Sequence, residues 1–204
     1  IRKLSTLLFS KYNMNSNTMA IPVGIDLGSL NVRIALIDQD VPKIVNNADG
    51  DRFTLSLCKI LQEEKQQQVL IGESCRKWCD RQKVSRESVS IRTHCDLSCR
   101  SVTRNDTNEE DNYNDISESA TLAAAEFFKN MRQLVCDATN IDTSLSSSGG
   151  YTLFPAVSVP DDDDDDDSGN NELLIEGIRK AVSKGFCIAP VAPKVAKGQK
   201  MQKK

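Results

Sequence analysis

The chain has 204 residues, of which 39% are apolar and 5% aromatic, and its formal net charge is −3. This length suits one medium domain or a little more, and the low apolar content predicts a modest core beside a sizeable disordered fraction. No apolar run is long enough to span a bilayer, and no basic stripe with interleaved aromatic residues favours DNA binding. The seven cysteines lack a compact spacing, which favours a reducing compartment, so we expect a cytoplasmic protein.

The two ends of the chain are expected to lie outside the fold. Residues 1–18 are interpreted as a disordered or upstream extension, because their apolar part is too short for a secretory segment. Residues 190–204 form a basic tail. The fold is therefore predicted to span residues 19–189, with flexible insertions at 100–116 and 161–170.

The first half of this region is predicted to consist of strands followed by one helix. Apolar and polar residues alternate with a period of two, which is typical of half-buried strands. A polar excursion over Gln62–Gln68 is expected to interrupt them. The predicted elements are two strands within Ile21–Leu36 joined by a turn at Gly28–Asn31, further strands at Lys43–Asn47, Phe53–Ile60 and Val69–Gly72, and a helix at Glu73–Asp80.

The second half is predicted to alternate helices and strands. No convincing period is found between Arg81 and Asn114. A helix is expected to open at Ser117, whose hydroxyl could cap it, because an apolar stripe with helical spacing follows. After it the pattern predicts a strand at Tyr151–Val159, an amphipathic helix at Glu172–Ser183 and a last strand starting within Phe186–Ala189.

The turn after the first strand carries the chemistry of greatest interest. Asp26 ends an apolar strand, and Gly28 follows two residues later. A glycine allows close approach of the backbone to a bulky anion, and successive N–H groups in such a turn can hold a phosphate. A carboxylate at the same place can face the hydrated Mg²⁺ that accompanies a phosphate. Taken alone, the pattern is more typical of an ordinary hairpin with a polar turn than of a phosphate site.

Several segments resemble, in chain order, the amino-terminal part of the nucleotide-binding domain of the Hsp70 family. Val23–Asn31 (VGIDLGSLN) resembles the first phosphate motif of that family, and Ile44–Thr54 (IVNNADGDRFT) is similar to its next strand and turn. Further similar segments are Leu70–Glu73 (LIGE), the helix Ala120–Ala138 with the strand Ala156–Pro160 (AVSVP), and the helix end Ala181–Phe186. The resemblance covers roughly Met19–Ala189, about half of such a domain.

This resemblance implies an α/β fold: an incomplete actin-like ATPase (ribonuclease H-like) lobe, with a mixed sheet containing antiparallel hairpins and flanked by helices. It also implies ATP and Mg²⁺ as ligands. Asp26 would face the hydrated Mg²⁺, and the backbone of Gly28, Ser29 and Leu30 would approach the β- and γ-phosphates.

The departures from the family pattern predict a weak activity. Leu30 stands where the family has a hydroxyl-bearing residue, and only Arg92 lies near the place expected for the catalytic lysine. The second phosphate motif, the adenosine motif and a substrate-binding domain are not found in these residues. We therefore expect weak ATP binding and negligible hydrolysis, and assign no catalytic residue.

The resemblance and its departures leave four possible functions. The first is a degenerate or truncated Hsp70-type ATP-binding chaperone, which would take unfolded polypeptide only if a substrate domain exists. The second is a non-hydrolysing Hsp70-like cochaperone. Its implied partners are a J-domain cochaperone, a nucleotide-exchange factor or the ribosome. A sugar or acid kinase of the same superfamily and a nonfunctional gene fragment are the remaining alternatives.

Cysteine and aspartate clusters outside the hairpin have plainer explanations. Cys75, Cys79, Cys95 and Cys99, with His94, have spacings that zinc accepts, but free thiols are favoured and His94 is expected to be an exposed loop residue. Asp161–Asp167 could bind Ca²⁺ or a basic partner, although an expanded loop is favoured because a flexible run preorganises no coordination geometry.

Overall fold

The computed structural model describes residues 4–8, 19–38, 41–63, 66–100, 110–140, 151–160 and 168–187. Its centre is a six-stranded sheet in which five strands follow the order β1-β8-β2-β3-β4, while β5 pairs with the other end of β3. The strands are β1 (Leu4–Leu8), β2 (Met19–Leu27), β3 (Asn31–Asp38), β4 (Val41–Val45), β5 (Thr54–Leu55) and β8 (Tyr151–Pro160). β2 and β8 run parallel and the other pairs antiparallel, so the sheet is mixed, as predicted.

One face of this sheet is apolar and buried. Side chains alternate between the two faces of a strand, so every second residue of β2 points the same way. Val23, Ile25 and Leu27 are each at most 1% exposed. Their paired residues in the neighbouring strands share this face and are buried too, namely Val32, Ile34, Leu36 and Val157.

Three helices cover that face. They are α2 (Ile91–Arg100), α3 (Glu110–Thr139) and α4 (Ser168–Gly185), and each packs against the other two. Their apolar side chains form one cluster with the buried strand residues, to which the helices contribute Ile91, Cys95, Phe127, Phe128, Met131, Ile178 and Val182 among others. Among the described helices, none is long and apolar enough to cross a membrane.

Two glycines of α4 allow the helices to approach closely. A Cβ on Gly177 would lie 1.9 Å from the carbonyl oxygen of Cys95, and a Cβ on Gly185 would lie 2.6 Å from the Cβ of Phe128. Both distances are far below van der Waals contact. α4 therefore lies directly against the backbone of α2 at Gly177, and against the backbone of α3 and the base of the Phe128 side chain at Gly185.

A second, smaller layer lies beside the main sheet. It contains the hairpin β6 (Cys58–Glu63) and β7 (Gln66–Ile71) and the helix α1 (Glu73–Gln82). Leu57, Val89 and two thiols of α1 form a separate apolar cluster there. The polar excursion predicted over Gln62–Gln68 is wrong, because these glutamines continue the two strands of the hairpin with their side chains exposed.

The termini and helix starts differ from the predicted domain limits. Leu4–Leu8, placed outside the fold by the sequence, forms β1 and pairs with β8. An unpaired edge of β8 would leave a row of free N–H and C=O groups, and β1 satisfies them. Helix α3 begins at Glu110 within the predicted insertion 100–116, and α4 begins at Ser168 within the predicted insertion 161–170.

Three local predictions are also wrong. Ser117 lies inside α3, and its hydroxyl donates to the carbonyl oxygen of Ser98 at 3.4 Å instead of capping a helix. Helix α2 falls in the stretch where no period was found, because its buried positions are occupied by cysteine, serine and histidine as well as isoleucine. Phe186 and Cys187 form a turn after α4, not the start of a strand.

Candidate functional site

The turn between β2 and β3 is fixed by backbone hydrogen bonds. The N–H of Gly28 donates to the carbonyl oxygen of Asn31 at 3.0 Å, and the carbonyl oxygen of Leu30 accepts from the N–H of Ser56 at 2.9 Å. A Cβ on Gly28 would lie 2.8 Å from the carbonyl oxygen of Asn31. The tightness of the turn thus requires glycine here, whether or not an anion binds.

The remaining donors of the turn are open to a ligand. Within the described part of the chain, the backbone N–H groups of Ser29 and Leu30 have no acceptor. Both residues are exposed, and Leu30 retains 74% of its surface. Successive free N–H groups of this kind are suited to a phosphate oxygen.

Asp26 lies next to this turn, on the face of the sheet opposite the helices. Its Oδ1 accepts the hydroxyl of Ser158 at 3.3 Å, and its Oδ2 lies 3.6 Å from Nη1 of Arg33. The side chains of Asp26 and Arg33 remain 48% and 59% exposed. The carboxylate is therefore held in place by two neighbouring strands and is still accessible from solvent.

Sequence reasoning does not single out Arg33 or Ser158. The signal for Arg33 was present, because a turn at Gly28–Asn31 sets the register that pairs Asp26 with Arg33. Ser158 is brought opposite Asp26 by the parallel pairing of β8 with β2, which joins residues far apart in the chain. That pairing could not be read from local spacing.

Arg92, the nearest counterpart of the missing lysine, is not placed with Asp26. It lies on α2, whose buried residues Ile91 and Cys95 belong to the same core cluster as Val23 and Ile25. Asp26 projects from the opposite face of the same strand. The sheet therefore lies between α2 and the Asp26 carboxylate.

The four cysteines of the zinc hypothesis lie on two helices and are free thiols. Cys75 and Cys79 of α1 belong to the smaller apolar cluster, whereas Cys95 of α2 belongs to the main core. Burial, followed by the proximity of Cys79, raises the pKa of the Cys75 thiol to about 12. Among the described residues, no group of three or more His, Cys, Asp or Glu side chains is arranged to hold a metal ion.

His94 is buried and not an exposed loop residue as predicted. It lies on α2, and its Nε2 is 2.9 Å from the carbonyl oxygen of Cys58, so Nε2 carries the proton and donates. Nδ1 is buried without a partner among the described residues. Burial lowers the pKa of this imidazole below its usual 6.5, with a smaller contribution of the same sign from Lys59.

Two predicted features fall outside the described residues. These are the aspartate run Asp161–Asp167 and the basic tail 190–204, so the Ca²⁺ and partner hypotheses attached to the run stay predictions. The turn Asn47–Asp51, part of the second similar segment, is described. There Oδ1 of Asn47 accepts the N–H groups of Asp49 and Asp51 at 3.0 and 2.8 Å, which gives this asparagine a local structural role.

The fold and the hairpin define the class of protein. A mixed sheet flanked by helices, with an Asp-x-Gly hairpin at its centre, is consistent with an incomplete actin-like ATPase lobe.

A comparison of sequences supports the resemblance to Hsp70. A family model of the Hsp70 protein matches residues 22–111, so this stretch of the chain is similar to that family. The match includes the phosphate-type hairpin, the Asn47 turn and the Leu70–Glu73 segment. The later segments Ala120–Ala138 and Ala156–Pro160 lie beyond it. At the level of the family, the match supports a chaperone-related, nucleotide-binding protein.

Proposed function

We propose that the β2–β3 hairpin binds ATP weakly and that the chain is a degenerate, Hsp70-like component of protein folding in a reducing, cytoplasmic compartment. The observation that carries the proposal is the Asp26 carboxylate beside a glycine turn with two free N–H donors. The family in general binds ATP with Mg²⁺ and works with J-domain proteins and nucleotide-exchange factors, which supports the same proposal.

The residues of the hairpin fit a nucleoside triphosphate. The N–H groups of Ser29 and Leu30 would donate to phosphate oxygens, and Gly28 keeps the turn tight enough to present them. Asp26 would face the hydrated Mg²⁺, since this ion commonly takes one or two carboxylates together with substrate phosphates and several waters. When bound, Mg²⁺ would neutralise charge on the β- and γ-phosphates.

Hydrolysis is proposed to be negligible. Among the described residues, the cation paired with Asp26 is the Arg33 guanidinium, whose Nη1 lies 3.6 Å from Oδ2, and a guanidinium donates hydrogen bonds but has no acceptor atom. Arg92 lies across the sheet, and Leu30 has no hydroxyl to contribute. The Asp26 carboxylate is the group of this hairpin that could take a proton from water, but its two oxygens are already engaged by Ser158 and Arg33. The hairpin therefore offers groups that bind and orient phosphate, and no free general base.

A calorimetric titration of the purified chain with Mg²⁺-ATP tests the proposal. We expect a dissociation constant on the order of 0.1–1 mM, equivalent to roughly 4–5.5 kcal/mol of binding free energy, and no phosphate release above the protein-free rate. Micromolar affinity, measurable phosphate release or a complete absence of binding would each contradict it.

Two glycine variants provide a matched pair for this titration. Gly28→Ala forces the turn open, because its Cβ would lie 2.8 Å from the carbonyl oxygen of Asn31. Gly24→Ala adds the same methyl group within β2, the strand that leads into this turn, where the nearest atom is 3.8 Å away. We expect the first to abolish ATP binding and the second to leave it unchanged, with both variants folded by circular dichroism.

The alternative of a non-hydrolysing cochaperone is favoured by one observation: Arg92, the nearest counterpart of the missing lysine, belongs to α2 on the covered side of the sheet and is not placed with Asp26. Such a protein would act through a ribosome-associated J-domain partner without needing ATP turnover. Cosedimentation with ribosomes, together with capture of a J-domain protein by the Gly28→Ala variant as efficiently as by the unmodified chain, would favour this alternative. Loss of capture in that variant would favour the nucleotide-dependent chaperone.

A further inference from the structure

Arg33, Asp26 and Ser158 form a row across three neighbouring strands. Arg33 of β3 and Ser158 of β8 are the direct partners of Asp26 in the two ladders that flank β2. The row lies on the face of the sheet that the helices leave open, since Val32, Ile34 and Val157 of the same strands are buried on the other face.

Both oxygens of the Asp26 carboxylate are engaged within this row. Ser158 donates to Oδ1, and Arg33 approaches Oδ2. A carboxylate beside a phosphate requires a cation between them, because two like charges at close range repel. Arg33 already supplies a positive charge at this carboxylate, so part of the role expected of Mg²⁺ is taken by the chain itself.

Arginine is also suited to the phosphate. Its planar guanidinium donates two parallel hydrogen bonds to phosphate oxygens and keeps its charge at every pH of interest. Arg33 is three residues beyond Leu30, which is about 10 Å along an extended strand. Its side chain is 59% exposed, so it can turn toward an anion that lies on the Ser29–Leu30 donors.

We propose that Arg33 is a nucleotide-binding residue that makes the binding of triphosphate at this hairpin largely independent of Mg²⁺. The inference rests on the proposed nucleotide site. It gives the site a second positive charge, the Arg33 guanidinium, besides Mg²⁺. It also predicts that the hairpin binds triphosphates without metal, with or without a nucleoside. Asp26 in this arrangement positions the guanidinium in the absence of metal and exchanges it for Mg²⁺ when the metal is abundant.

Calorimetric titrations with sodium ATP and with inorganic triphosphate, each in excess EDTA and in excess Mg²⁺, test the inference. For the unmodified chain we expect the dissociation constant of ATP in EDTA to lie within about threefold of that in Mg²⁺. In Arg33→Ala, binding in EDTA should weaken by about tenfold or more, a loss of about 1.4 kcal/mol, while binding in Mg²⁺ changes by less than about threefold. Arg33→Lys should restore part of the binding in EDTA.

The matched control is Arg81→Ala. Arg81 is an exposed arginine of α1, which packs against β7, so this variant removes the same charge from an element other than β2 and β3. It should behave as the unmodified chain in all four titrations. A general effect of net charge would weaken binding equally in Arg81→Ala and Arg33→Ala and would contradict the inference.

The outcomes separate the two proposals. Binding of ATP in Mg²⁺ but not in EDTA, or an equal loss in both conditions for Arg33→Ala, would overturn the role of Arg33 and leave the nucleotide site standing. Absence of ATP binding in both conditions would overturn the site and the inference together. Binding of inorganic triphosphate as tight as that of ATP would show that the hairpin reads the phosphate chain and not the nucleoside.

Discussion

The two faces of the central sheet are built from the same strands and differ in almost every other respect. One face carries Val23, Ile25 and Leu27, which are nearly inaccessible beneath three helices. The other face carries Pro22, Gly24 and Asp26 from the same strand, all of them partly or fully exposed. The first face holds the fold together, and the second is free to bind a ligand.

The difference follows from side-chain size as much as from polarity. Next to the Gly28 turn, the cross-strand partners on the open face are small or charged, as in Gly24 with Ala35 and Asp26 with Arg33, whereas Phe154 and Ile44 are large partners elsewhere on that face. Small residues leave room next to the Gly28 turn, and large aliphatic residues on the other face fill the space under the helices. Substitutions on the covered face should therefore change the free energy of unfolding, and substitutions on the open face next to the Gly28 turn should change the affinity for ATP.

The largest expected effect is on the covered side, at Gly177. Gly177→Ala places a Cβ 1.9 Å from the carbonyl oxygen of Cys95, a backbone atom that cannot rotate away. α4 would have to move off α2, and we expect the free energy of unfolding to fall by about 1–3 kcal/mol or more. Urea titration followed by circular dichroism measures this change.

Gly24→Ala is the control on the open face. Its Cβ would have only one neighbour, the carbonyl oxygen of Ala35 at an ordinary 3.8 Å. A strand glycine replaced by alanine without strain loses unfolded-state entropy, so stability should rise slightly, by about 0.4–1 kcal/mol. If Gly24→Ala lowered the free energy of unfolding as much as Gly177→Ala, the two faces would not differ in packing.

Much of this arrangement was predictable from the sequence. The period of two along Val23 and Ile25 predicts the central hairpin, and Gly28–Asn31 is predicted as the turn that joins its strands. These signals come from residues that are close in sequence. Strand β1 and the contact of Ser158 with Asp26 have no such local signal, because each depends on which strands become neighbours in the sheet.

Helix α2 and His94 were missed for a different reason. The buried positions of α2 include His94, Cys95 and Ser98, which propensity and polarity assign to loops. The hydroxyl of Ser98 donates to the carbonyl oxygen of Cys95 at 2.7 Å, and His94 donates to Cys58, so polar groups are buried with partners. Tertiary contacts that do not appear in the local pattern thus determine this helix.

The burial of His94 on the covered side predicts that the free energy of unfolding depends on pH. Its pKa in the folded chain is lowered below 6.5, chiefly by burial, so the unfolded chain binds a proton that the folded chain does not. Its contribution to stability is therefore complete above the unfolded pKa and is lost as the pH falls below about 6.5. The slope can reach about 1.4 kcal/mol per pH unit for one proton.

Urea titrations between pH 7.5 and 5 of the unmodified chain and of His94→Gln measure this dependence. The glutamine amide can still donate to the carbonyl oxygen of Cys58 but does not titrate. Glu73 has a pKa lowered from 4.5 by its hydrogen bond from Arg76, so its titration falls below this range. An equal loss of stability on acidification in both proteins would show that His94 is not the group responsible.

The smallest expected effect is on the open face, at the ion pair of Asp26 and Arg33. Both side chains are about half exposed and their charged atoms are 3.6 Å apart, so solvent screens the attraction. A double-mutant cycle with Asp26→Asn and Arg33→Ala should give a coupling energy of about 0.2–1 kcal/mol in unfolding, which falls further at high salt. A coupling well above this range would mean that the pair is needed to hold β2 and β3 together, and Arg33 could then not leave Asp26 for a phosphate. A weak coupling would mean that the arginine is held loosely enough to be exchanged, and that changes in triphosphate binding in Arg33→Ala report the site and not the stability of the sheet.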